Sequence, residues 1–274
     1  METIAAQIGT HPLESFLFAL FALLGLAGLL AWLLHATVRR GYARYGSTLT
    51  PRDYLFLYVA AGSAILLAAM WAFAELAEAL DADEALGHFD EWLAQSLRAD
   101  LPASLLKGLA VVTRLGNVST LAVIGVVVGL VLLYRKHHLL FWTWAIAVAG
   151  NGILITVLKS VFQRVRPLHD HGFVVEQGWS FPSGHASGSL VTYGMLAYLV
   201  LRQWRAPWSW MLAACLLATA LAVGFSRVYL QVHYFSDVLA GFVSGGAWMV
   251  ICVTACEIVF AMRASPGGPV FQKR

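Results

Sequence analysis

Charge is what this chain has least of. Asp, Glu, Lys and Arg make up 12% of its 274 residues, against 59% hydrophobic, and a water-soluble domain carries about twice that charged share. The 18 Lys and Arg leave a net charge of only +3 and are dispersed between apolar runs. There is thus no basic stripe for a nucleic acid to bind, and none of the like-charge blocks that keep a chain disordered. Cysteine is equally sparse. Its 3 residues lie inside apolar runs, which excludes a disulfide scaffold and leaves the redox compartment undefined. The 24 Gly and 8 Pro are scattered without a period, so collagen-like and low-complexity segments are excluded too, and no internal repeat or inter-domain linker is found. No Lys or Arg precedes the first apolar run, which therefore lacks the basic start of a secretory signal and is expected to be retained.

Long apolar runs are what it has. A bilayer's hydrocarbon core asks for about 20 apolar residues per helix, and seven runs meet that demand, at residues 16–34, 54–74, 118–134, 139–158, 186–201, 206–226 and 238–256. They predict an all-α, polytopic membrane helix bundle. Cytoplasmic loops collect Lys and Arg. Counted on alternate sides of seven spans, eleven basic residues fall on one side (among them Arg39, Arg40, Arg135, Lys136 and Arg202) and seven on the other. The N-terminus is therefore expected outside and the C-terminus inside. Eight of the fifteen acidic residues fall in 75–100, on the outer side. Between Phe89 and Val112, Phe89, Trp92, Leu93 and Leu97, then Leu105, Leu106, Leu109 and Val112, recur at helical spacing, with Pro102 suited to a first turn. Two amphipathic helices are predicted, either on the outer membrane surface or packed as a cap on the bundle.

Three polar clusters survive in this apolar chain. Lys159 and Arg166-Pro167 end the fourth run, Pro182-Ser183-Gly184-His185 opens the fifth, and Ser226-Arg227, His233 and Asp237 join the sixth to the seventh. By span parity all three return to the same outer face. Together they hold three fixed cations, two His, an Asp, a Ser and a helix N-terminus, the equipment of a pocket for a phosphate dianion. His233 and Asp237 are four apart, on one face of a helix, so the carboxylate can accept from one imidazole nitrogen and leave the other as a nucleophile. Asp237 then orients the ring, and His185 remains to protonate a leaving oxygen.

In order and spacing, Lys-x6-Arg-Pro, Pro-Ser-Gly-His and Ser-Arg-x5-His-x3-Asp resemble the three signature motifs of the type 2 phosphatidic acid phosphatase superfamily, in its bacterial membrane branch. The resemblance implies a six-helix phosphatase core with an extracytoplasmic site, to which the first span is an addition. It implies that Lys159, Arg166, Ser183, the Gly184 amide and Arg227 bind phosphate. It further implies that His233 forms a phosphohistidine, His185 protonates the leaving group and Asp237 holds His233, with no metal and no cofactor. Three fixed cations and a helix N-terminus already supply the positive field a metal would provide. The expected organisation is an N-terminal transmembrane helix with a basic cytoplasmic loop (1–53), a six-helix membrane phosphatase domain with an outer amphipathic segment at 81–115 (54–263), and a cytoplasmic tail (264–274). The expected partners are the bilayer and a membrane lipid phosphate, undecaprenyl pyrophosphate, phosphatidylglycerophosphate or phosphatidic acid, in a bacterial inner membrane. No nucleic acid is expected, and the oligomeric state is not encoded in any residue singled out. A lipid-linked phosphotransferase, or a silent transporter or scaffold that keeps a phosphate pocket, are the other functions these residues allow.

Lesser candidates read as structural. His169, Asp170 and His171 could bind a metal or headgroup but read as a polar turn between motifs. Cys252 and Cys256 share a helix face and suit small-residue packing, Asn151 should hydrogen-bond to a neighbouring helix, and Trp142, Trp144, Trp208 and Trp210 read as an inner interfacial belt.

Overall fold

A computed structural model describes residues 8, 10–18, 51–78, 80, 85–167, 174, 176–204 and 206–263. Among them every regular element is helical: α1 (Pro51–Glu78), α2 (Ala85–Asp100), α3 (Ala103–Thr113), a 3-10 turn (Arg114–Gly116), α4 (Val118–Tyr134), α5 (His138–Phe162), α6 (Gly184–Gln203), α7 (Pro207–Tyr229) and α8 (Phe235–Arg263). All six core runs of the sequence are helices. Most of the run at 16–34 and the tail at 264–274 lie outside the described residues. Residues 12–18 are helical, and Phe16 packs edge-on against Tyr229, ring centroids 5.5 Å apart.

Among the described residues, four helices contain a stretch long and apolar enough to cross a bilayer: Val59–Glu78, His138–Phe162, Pro207–Tyr229 and Phe235–Met262. A fifth crossing arises if Ala103–Gly116 and Val118–Tyr134, which meet at 40°, count as one broken span. Large apolar side chains such as Ile65, Leu67, Val126, Leu130, Ile153, Val157 and Met211 are exposed along these helices, the surface that a helix in a bilayer presents to lipid. α6 is the exception. It is surrounded by α5, α7 and α8, so it can carry buried Ser187, Ser189, Thr192 and Tyr193, each an expense in contact with lipid. Ser187 Oγ donates to Asn151 Oδ1 at 2.7 Å, the interhelical bond expected of Asn151.

Small residues set the approach of α8 to α6. A Cβ on Gly241 would lie 2.6 Å from the Ser183 carbonyl oxygen, and one on Gly245 would lie 2.7 Å from Ser187 Oγ. A glycine every fourth residue thus lets α8 press its first turns against the start of α6.

The amphipathic stretch from Phe89 to Val112 lies in α2 and α3, as its periodicity predicts, and they cap the bundle. Leu93, Leu97, Leu106 and Leu109 join one buried cluster with Phe225, Val228, Leu230, Val232 and Val238 of α7, α8 and their connection. One expectation fails. Trp144 is only 1% exposed, and its Nε1 donates to the Gly125 carbonyl at 2.8 Å, so it ties α5 to α4 rather than joining an interfacial belt. Its partners Trp142, Trp208 and Trp210 are exposed. Residues two apart on a helix face different sides, so Trp144 turns inward where Trp142 turns out.

Candidate active site

The chain turns sharply at each motif. Gln163 ends α5 with a left-handed φ of 45°, and Arg164 to Arg166 then run without helix toward α8. After the cis Phe181–Pro182 peptide, α6 starts at Gly184 with Ser183 as its cap, whose Oγ accepts from the Ala186 amide at 3.4 Å. Pro182 therefore stands before the helix and not in its first turn. At the end of α7 the Arg227 carbonyl accepts from the amides of Val232 and His233, at 3.2 and 3.3 Å, which ties a cation and a candidate nucleophile to one turn.

These turns bring the three motifs together. His233 Nδ1 lies 3.3 Å from Asp237 Oδ2 and 3.2 Å from Ser180 Oγ, and its Nε2 lies 3.1 Å from Arg166 Nη1. The tautomer follows, because a guanidinium can only donate: Nε2 carries the lone pair and Nδ1 carries the proton, directed at the carboxylate. Burial pulls the His233 imidazole down to about 3; Asp237 opposes this, and Arg227 and Arg166 add to it. The ring is neutral at physiological pH. Asp237 is itself held. Its Oδ2 accepts from the Tyr234 amide at 2.9 Å and from the Ser180 hydroxyl, and its Oδ1 accepts from Arg164 Nη1 at 2.7 Å.

The cations converge on the same place. Arg166 donates to the carbonyls of Val232 at 2.6 Å and Gly178 at 3.0 Å, and Lys159 Nζ donates to the Trp179 and Ser180 carbonyls. Arg227 is fully buried. Its Nη1 donates to Thr113 Oγ1 at 2.8 Å and its Nη2 to Glu176 Oε1 at 2.5 Å, while its Nε has no partner among the described residues. A buried guanidinium N–H without an acceptor is a rare expense and marks a place for a further anion oxygen. His185 Nε2 lies 3.1 Å from Asn117 Oδ1; burial pulls its imidazole down to about 3, Arg227 adding to this and Glu176 opposing it. Gly116 permits that approach, since a Cβ there would meet His185 Cδ2 at 3.1 Å and Val223 Cγ1 at 2.4 Å. Gly184 has room, its nearest neighbour to a Cβ being Ile155 at 3.5 Å.

All eight residues singled out by sequence thus meet at one end of the bundle. His169, Asp170 and His171 lie outside the described residues. Cys252 and Cys256 are buried and unbonded to each other, as packing residues would be. Sequence reading missed a second layer. Arg164 bridges Asp237 to Asp90 of α2, whose Oδ2 it meets at 3.0 Å, and Ser236 donates to Asp90 from both its amide and its hydroxyl. Two signals were available. Arg164 is two residues from Arg166, the same face of an extended chain, and Asp90 shares the helix stripe of Leu93 and Leu97.

Known proteins match this arrangement. Residues 139–257, which contain every motif residue, match the PAP2 superfamily. These residues form a PAP2 superfamily domain. The chain is similar to phosphatidylglycerophosphatase B of Bacillus subtilis, with 36% identity over 143 residues, 49% of this chain and 66% of that protein. It is similar to lipid A 1-phosphatase of Rhizobium etli at 30% identity, over 51% of this chain and 62% of that protein. The matched region therefore spans less than two thirds of either relative. A crystal structure described as the first transmembrane PAP2 type phosphatidylglycerolphosphate phosphatase, from Bacillus subtilis, superposes with a TM-score of 0.62 at 28% identity, covering 70% of this chain and 96% of that one. The all-helical PAP2 fold and its membrane setting are thereby shared with a solved relative.

Proposed function

We propose that this PAP2 chain is a membrane phosphatase that removes phosphate from a lipid through a phosphohistidine, without a metal. The observation that carries the reading is the His233 tautomer: a buried neutral imidazole with its Nε2 lone pair beside Arg166 and its Nδ1 proton toward Asp237. Phosphate binding alone needs neither the ring nor the orienting carboxylate. In the proposed reaction Lys159, Arg166 and Arg227, with the first amides of α6 near Ser183 and Gly184, take the phosphate oxygens. His233 Nε2 attacks phosphorus as the bond to the lipid oxygen breaks, and His185, which takes up a proton when the phosphate dianion offsets the cations that keep it neutral in the free site, gives that oxygen its proton. The positive charge gained by the His233 ring is stabilised by Asp237. Water, deprotonated by His185, then attacks phosphorus and releases inorganic phosphate, returning His233 to its starting state.

Similarity to enzymes named for phosphatidylglycerophosphate and lipid A phosphate supports a lipid phosphate as substrate, with phosphatidic acid and undecaprenyl pyrophosphate as further candidates. A lipid tail that remains in the bilayer adds binding energy that a soluble phosphate ester lacks. kcat/KM for a long-chain substrate should therefore exceed that for a short-chain analogue by at least about tenfold, or roughly 1.4 kcal/mol. Phosphate release by the purified chain from a panel of lipid phosphates is the test. Activity should persist in EDTA, and His233→Ala should abolish both turnover and the phosphoenzyme. Loss of activity with chelator and its return with Mg2+ would refute the metal-free mechanism, and equal efficiency on glucose 6-phosphate would refute the lipid assignment.

A further inference from the structure

Glu176 belongs to none of the motifs and stands among all of them. Its Oε1 lies 2.5 Å from Nη2 of the buried Arg227, and it is within electrostatic reach of His185, Arg166 and Lys159. These are the groups to which the phosphatase reading gives the substrate phosphate and leaving oxygen. The residues that follow it satisfy the other cations. The Gln177, Gly178 and Trp179 carbonyls accept from Arg166, and those of Trp179 and Ser180 accept from Lys159. Three desolvated positive groups would repel one another in an unoccupied pocket; here one carboxylate and a run of peptide oxygens neutralise and solvate them. Burial alone would raise the Glu176 carboxyl, yet Arg227, then His185 and Arg166, hold it below the ordinary carboxylate range, so it stays an anion at neutral pH.

We propose that Glu176 is a resident anion that competes with the phosphate for Arg227, and that this competition selects dianionic phosphate esters over singly charged anions. A phosphate brings a charge near −2 above its second pKa of about 6, and three acceptor oxygens. It can occupy the Nη2 donor held by Glu176 as well as Arg227 Nε, which has no partner among the described residues. A carboxylate ligand brings one charge and gains too little to displace an equal. The inference rests on the phosphatase reading of the site, and it has a rival with the opposite sign. If Glu176 serves only to hold Arg227 in place, removing it must weaken anion binding.

Calorimetric titration of the full chain in detergent at pH 8 with inorganic phosphate separates the two. Glu176→Gln and Glu176→Ala should each bind phosphate at least about tenfold more tightly than the wild type, and acetate should compete with phosphate in both variants and not in the wild type. Unchanged or weaker phosphate binding in the two variants would overturn the proposal. Lipid phosphate hydrolysis measured on the same preparations keeps the two readings apart. Wild-type hydrolysis with no gain of phosphate affinity in the variants refutes the resident anion alone. A gain of affinity in a chain that hydrolyses none of the lipid panel refutes the phosphatase reading alone.

Discussion

At the scale of the residue, His233 decides most. Its ring is 3% exposed, and desolvation of its charged form outweighs the pull of Asp237, so its pKa sits near about 3 rather than the ordinary imidazole value of about 6.5. A lowered pKa means the native ring binds no proton where the unfolded ring does. As pH falls from 6.5 toward 3 the unfolded chain alone gains protons, so this group withdraws native stability across that window and has no effect above it. Nuclear magnetic resonance of the histidine-labelled chain should show the His233 ring unprotonated from pH 8 to pH 5. A midpoint near 6.5 would contradict the burial argument and leave Nε2 partly protonated at the working pH.

At the scale of the element, the start of α8 organises the site. Its first turn carries Ser236 and Asp237, the Ser183 amide donates to the Asp237 carbonyl at 2.9 Å, and Gly241 gives the clearance that this contact needs. Even one methyl there would drive against backbone, 2.6 Å from the Ser183 oxygen, and push the opening of α6 away from His233. Gly241→Ala should therefore lower kcat by roughly 10- to 100-fold, since misplacement by about 1 Å costs that much in a positioned site. Gly246→Ala is the control, because its Cβ would meet only Leu190 at 3.7 Å. Steady-state kinetics with a thermal melt of each variant would check this; equal kcat in both would remove α8 contact from the account. The cap formed by α2 belongs to the same scale, for it delivers Asp90 to the Arg164 bridge that holds Asp237.

At the scale of the whole molecule, a belt of exposed apolar side chains surrounds the helices, and the polar site and its α2–α3 cap share one end. The opposite end carries Arg135, Lys136 and Arg202, whose guanidinium pairs with Glu257. The distribution of basic residues argues that the site end faces away from the cytoplasm. Lys107→Cys, in the cap, should react with an impermeant thiol reagent in intact cells, and Lys136→Cys should not, both in a chain whose Cys215, Cys252 and Cys256 are replaced by Ala. Labelling of Lys136→Cys from outside would reverse the orientation.

Sequence alone determined the class of molecule and singled out eight residues that the fold brings to one end of the bundle. Both signals are local: a bilayer demands apolar runs of fixed length, and motif spacing fixes which side chains share a turn or a membrane face. The pairing of His233 with Asp237 was legible for that reason, since four residues span one helical turn. Contacts between distant elements were not. Asp90 reaches Arg164 across 74 positions, Asn117 reaches His185 across 68 and Glu176 reaches Arg227 across 51, and no periodicity records which helix lies beside which. Tertiary structure also placed Trp144 inside the bundle and α2 with α3 on top of it, because an apolar stripe seeks any apolar partner and only the packing of α7 and α8 says whether that partner is lipid or protein.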